Sequence, residues 1–131
     1  MPSRTTNDTK SKALAISNAI GALHREHYGR GADRIRTIVH GDFVVTTLED
    51  CFTSVEKKMI AEGAFGQVRA TRILFQDWMQ APFTAAVEES TGRKVRAFFS
   101  QVSPRPEIAV EMFLLEPEAG DGRIAPPPVI Q

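Results

Sequence analysis

Residues 24–42 read HREHYGRGADRIRTIVHGD. They bring together all three histidines of the chain, closely spaced glycines, and arginines 30, 34 and 36. Three chemistries can be built from such a stretch. Glycine N–H groups beside guanidinium forks can cradle an anion. Paired histidines can start a zinc site, and a histidine beside a cysteine can activate a thiol. Each needs more than residue type. GRG is not the GxGxxG of a dinucleotide loop, does not follow a strand pattern, and lacks the Gly-Lys-Ser or Gly-Lys-Thr ending of a phosphate loop. His24 and His27 are three apart and can share a helix face, but zinc needs further ligands, and His40 and Cys51 are the soft candidates left. The stretch therefore reads as the end of a helix and the start of a hairpin. Neither a metal nor a cofactor is expected. On this reading His27 packs at the helix end and His24 faces solvent.

The other reactive residues are weighed in the same way. Glu49 and Asp50 are adjacent, so in a continuing strand they point to opposite sides, which is poor geometry for an acid–base pair. Cys51 is the only cysteine and fits a small buried thiol better than a nucleophile. Arg72 stands between Val68 and Phe75 on an apolar helix face. A cation there must snorkel, pair or meet a ligand. Glu49, Asp50 and Glu111 are its expected partners, and an oxyanion is the sharper alternative. Arg30, Arg34, Arg69 and Arg72 are thus the candidate anion-binding residues, and no catalytic set is visible. Trp78 reads as core or interface.

The elements that would hold these residues follow from periodicity. Ala13, Ile16, Ile20 and Leu23 recur at helical spacing, with Asn7 or Asp8 as cap and Gly29 or Gly31 as stop. Residues 34–40 and 43–48 are rich in β-branched side chains around Gly41-Asp42, a hairpin signal. Thr53 and Glu56 have capping-box spacing, opening a short helix that fades at Gly63. A longer helix follows along Phe65, Val68, Phe75, Met79, Phe83 and Ala86, with a kink or break expected at Pro82. Beyond Thr91-Gly92 come two alternating strands around Ser103-Pro104-Arg105-Pro106. The predicted fold is α+β, in the order α-ββ-α-α-ββ: a four-stranded, mostly antiparallel sheet from two hairpins, with helices on one face. Phe98, Phe113 and Leu115 are assigned to the uncovered face. With Trp78 they form the expected interaction surface, which argues for a homodimer.

Totals set the class. The chain has 131 residues, suiting one domain. Sixteen basic residues balance sixteen acidic ones, so no global field draws nucleic acid or an anionic membrane. A single cysteine excludes an internal disulfide. No window approaches the roughly 20 apolar residues that span a bilayer, and the polar start MPSRTTNDTKSK has no apolar signal core. The expectation is a cytoplasmic protein with no membrane insertion. Residues 1–9 are expected to form a flexible arm, 10–117 the domain, and 118–131 a disordered Gly/Pro-rich tail.

The segments YGRGADR, LEDCFTSVEK and TGRKV, followed by VSPRPEIAVEMFLLEP, resemble a bacterial family of small domains labelled MpsC, a component of a sodium-translocating, membrane-potential-generating system. The resemblance covers roughly residues 10 to 117. It implies a partner in membrane ion or inorganic-carbon transport, and it brings no catalytic residue with it. A chain without a span cannot translocate sodium alone, so the role implied is accessory or regulatory, through protein–protein contacts. A small-anion or nucleotide sensor is the alternative, and a small enzyme the third class.

Overall fold

The computed structural model describes residues 4–118. Seven elements follow in order: α1 (Arg4–Tyr28), β1 (Arg34–His40), β2 (Phe43–Glu49), α2 (Ser54–Ala61), α3 (Phe65–Thr91), β3 (Val95–Pro104) and β4 (Glu107–Leu115). The strands form one antiparallel sheet in the order β1-β2-β4-β3. The two hairpins are therefore joined through their inner strands, a choice the sequence had left open. Helices α1 and α3 pack on each other and on the sheet, and α2 packs on α3.

Local chemistry explains the boundaries. Gly29 stops α1 at φ 77°, and its N–H donates to the Arg25 carbonyl. Gly41 turns the first hairpin at φ 59°. Gly92 ends α3 in the left-handed conformation. Thr53 caps α2 with a complete box: its hydroxyl accepts from the Glu56 N–H at 3.1 Å, and its own N–H donates to Glu56 Oε1 at 2.9 Å.

The helices depart from expectation at two points. Residues 4–9, expected as a loose arm, are part of α1, so Asn7 and Asp8 lie inside the helix and do not cap it. No glycine or proline interrupts residues 4–20, and Asp8 pairs with Lys12 one turn on at 3.0 Å. Helix α3 is one helix through Pro82, so of the kink and the break expected there the break does not occur. Met79, Phe83 and Val87 around it are all buried, and that packing opposes a break. The expected tail, from residue 119 onward, lies outside the described residues.

The sheet faces are the main correction. Phe113 and Leu115 are fully buried under the helices, and Phe98 packs against Phe83 and Phe113. They belong to the covered face and are not an outer surface. In β4 both alternating sets are apolar, so period-2 patterning could not say which set faces inward. Glu111, the one charged residue of the set that includes Phe113 and Leu115, is buried with them.

Thr53→Ala should lower stability by about 1 kcal/mol, read as a shift of the urea midpoint. An unchanged midpoint would mean that the box does not set the start of α2.

Candidate functional site

Arg72 is the charged residue around which the interior is organised. Its position places it between Val68 and Phe75 on the inward face of α3, and it is 3% exposed. Its Nε donates to Glu56 Oε2 at 2.6 Å, and one terminal nitrogen donates to Glu56 Oε1 at 2.7 Å, giving a two-pronged ion pair. That nitrogen also donates to the Cys51 carbonyl at 3.2 Å. The other terminal nitrogen lies 3.2 Å from His24 Nε2. The Tyr28 ring lies 4.2 Å from the guanidinium carbon and the Phe52 ring 5.0 Å, both in cation–π range. One side chain thus ties together α1, the segment between β2 and α2, α2 itself and α3.

The protonation states follow from this geometry. His24 Nδ1 lies 2.7 Å from the Arg30 carbonyl, which can only accept, so Nδ1 carries the hydrogen and Nε2 accepts from Arg72. Burial pushes the His24 pKa down to about 4, helped by the Arg72 charge and opposed by the bond to Arg30. Burial alone would raise the Glu56 carboxyl, but hydrogen bonds from Arg72 and Thr53, with the Arg72 charge, bring it below its ordinary range. Burial raises the Tyr28 hydroxyl to about 12 and the Cys51 thiol to about 11. A neutral imidazole and a protonated thiol thus surround an ion pair that is satisfied from within.

A cavity of about 200 Å³ opens beside this cluster, lined by His27, Tyr28, Thr53, Glu56, Thr71, Arg72 and Phe75. From it an aromatic line runs outward: His24 stacks on Tyr28 at 4.4 Å, Tyr28 meets Phe75 at 5.0 Å, and Phe75 meets Trp78 edge-on at 5.3 Å. Trp78 is 61% exposed, and Leu74, four residues earlier on the same side of α3, is 49% exposed.

A second polar feature crosses the covered face of the sheet. Ser17 of α1 meets Thr37 at 2.7 Å, and Thr37 meets Thr46 at 2.9 Å. Glu111 is the register partner of Thr46 on one side and of Ser100 on the other. Glu111 is buried, and its Oε2 has no hydrogen-bond partner. Burial raises its pKa to about 8, against the hydrogen bond to Ser100 and the Arg72 charge, both of which lower it. Burial thus favours the neutral, protonated form of this carboxyl.

The four candidate arginines do not converge. Arg30 reaches Asp50, donating to its carbonyl at 3.0 Å and its carboxylate at 3.1 Å, and Lys57 holds the other carboxylate oxygen at 2.5 Å. Arg34 lies across the strand pair from Glu49 at 3.6 Å. Arg69 is exposed on α3. Arg72 takes Glu56, which was not among its three expected carboxylates. The capping-box reading had already given Glu56 a role, and nothing in the spacing showed that its carboxylate could also serve a second helix. The histidines exchange places: His24 is buried and His27 is exposed. The inward stripe of α1 runs Ile16, Ile20, His24 in steps of four, and a polar residue at its end was misread as an outward one. Arg93 was also missed. It clamps the first hairpin turn to the chain after β4, through the Gly41 carbonyl at 2.9 Å and the Glu116 carbonyl at 2.6 Å. Among the described residues no group of three or more His, Cys, Asp or Glu side chains is placed to hold a metal.

Comparison with known proteins adds a family. Residues 8–117 match the model described as Na+-translocating membrane potential-generating system (MpsC). Over 108 residues the chain is 30% identical to the uncharacterized protein YrhF of Bacillus subtilis (strain 168), spanning 80% of this chain and 88% of that protein. No solved structure matches the chain.

Two measurements test the interior. Glu56→Ala should cost about 3–5 kcal/mol, because it leaves a buried guanidinium unpaired. That is well beyond the loss at Thr53, and equal losses would mean that the pair contributes nothing beyond the cap. The buried titrating groups act in opposite directions. Between about 4 and 6.5 the unfolded chain protonates His24 while the folded chain does not, so stability rises with pH across that window. Between 4.5 and about 8 the folded chain keeps the Glu111 proton that the unfolded chain releases, so stability falls as pH rises. Glu111→Gln should therefore have a higher urea midpoint than the parent at pH 8, with the gap closing toward pH 4.5. A lower midpoint at pH 8 would show that the ionised carboxylate is the form the fold requires.

Proposed function

Because the chain belongs to the MpsC family, we propose that it is an accessory or regulatory protein of a membrane ion-transport system, acting through protein contacts and not through catalysis. No helix among the described residues is long and apolar enough to cross a membrane, so on this reading a partner carries the ion path and this chain meets it at the cytoplasmic face. The observation that carries the reading is the exposed Trp78. Aromatic residues with an apolar body and a polar tip are enriched at protein interfaces, where one end is buried and the other stays wet. Here it stands with Leu74 on an aromatic line rooted in the buried Arg72–Glu56 pair. The rigid root lowers the entropic cost of presenting the ring. The adjoining 200 Å³ cavity is of a size to take one anchoring side chain from the partner.

An anion or nucleotide sensor built on Arg30, Arg34 and Arg72 has less support. Each of those guanidinium groups already faces a carboxylate of this chain: Asp50, Glu49 and Glu56. A ligand would have to displace a partner that is held in place by the fold.

A photo-crosslinking amino acid at position 74, beside an intact Trp78, irradiated in cells of the source organism, should yield an adduct with an integral membrane protein. Trp78→Ala should reduce recovery of that protein at least about tenfold while leaving stability within roughly 0.5 kcal/mol, as expected of an exposed site. Adducts with soluble proteins alone would overturn the reading.

A further inference from the structure

We propose that the uncovered face of the sheet docks a second copy of this chain, face to face. The inference is independent of the Trp78 reading, since it uses the side of the sheet that no helix covers.

One row on that face is apolar throughout, and the next is apolar apart from His40 at its β1 end. Strand register sets Ile38, Val45, Met112 and Phe99 side by side across all four strands, with Phe43 and Leu114 paired in the next row. Ile38, Phe43 and Phe99 are 58%, 52% and 57% exposed. Three large apolar side chains half or more in water on one continuous face exceed the scattered exposure usual for a monomer.

The strand order identifies the occupant. In β1-β2-β4-β3 the seam between β2 and β4 is central. A two-fold axis along the strands at that seam lays each row over its own reverse. Ile38 of one copy then meets Phe99 of the other, and Val45 meets Met112, so a branched or small side chain faces a large or flexible one. The charges also tolerate this arrangement. Arg34 and Glu49, which share a row with Ile108 and Ser103, would lie over Ser103 and Ile108 of the other copy, so no like charges are opposed. The footprint lies near the lower size limit of a specific interface. Four strands over seven residues give a footprint on the order of 450 Å² per copy from standard strand spacing. Two such footprints approach the roughly 1,000 Å² of total area at which specific interfaces begin, before side-chain relief is added.

The test is sedimentation equilibrium of the full chain at tens of micromolar. The expected mass is twice the 14.5 kDa of one chain. Ile38→Lys with Phe99→Lys should halve it. Both positions are already exposed, so the variant should keep its far-ultraviolet circular dichroism. Trp78→Ala should leave the mass doubled, which separates this interface from the one proposed for the partner. A monomeric parent overturns the inference, whether the face then takes up another protein or a lipid surface. A dimer that survives the double substitution in a folded variant assigns the contact to another face and overturns it equally.

Discussion

A guanidinium held almost entirely out of water is tolerable only while its carboxylate stays with it, and four segments of this protein are arranged to keep Arg72 and Glu56 together. The ion pair is not obviously a source of net stability, because desolvation of both groups offsets much of their attraction. Its effect is to fix geometry. Glu56 must cap α2 through Thr53 and also meet α3. His24 must be neutral and in one tautomer to accept from Arg72. The chain between β2 and α2 must turn the Cys51 carbonyl inward. Few arrangements satisfy all of these together, so the pair sets how helices and sheet are seated, as polar groups in a core can do when every member is satisfied.

The architecture was largely legible in the sequence because its signals are local. Two β-branched runs around Gly41-Asp42, the Thr53–Glu56 spacing and Gly92 after Thr91 each act within a few residues, and each produced the element expected. The interior site was less legible because its contacts are not local. Glu56 and Arg72 are on different helices, and His24 meets Arg72 across 48 positions. The order β1-β2-β4-β3 also depends on long-range pairing. Which face of β4 turns inward depends on packing against α3, and two apolar alternations in one strand carry no local answer. Glu111 does not settle the face either. A lone acid in an apolar alternation marks a solvent face in most strands, and here it marks a buried carboxyl.

The two surfaces proposed for contact lie on opposite sides of one layered structure. Helix α3 covers one side of the sheet and turns Trp78 away from it, while Ile38 and Phe99 look out from the other side. A twofold assembly through the sheet would leave both copies of the α3 surface free and facing away from each other. A dimer of this kind is bivalent, and bivalent display raises avidity when two partner sites can be reached together.

The single thiol gives the central ion pair a reporter. Cys51 is fully buried, its pKa is pushed to about 11, and its carbonyl accepts from Arg72. An alkylating reagent needs both access and thiolate, so the folded chain behaves toward it as though it had no cysteine. Modification must wait for the joint between β2 and α2 to open, and that opening releases a hydrogen bond of the guanidinium. The labelling rate of the unaltered protein is therefore a clock for local opening at Arg72.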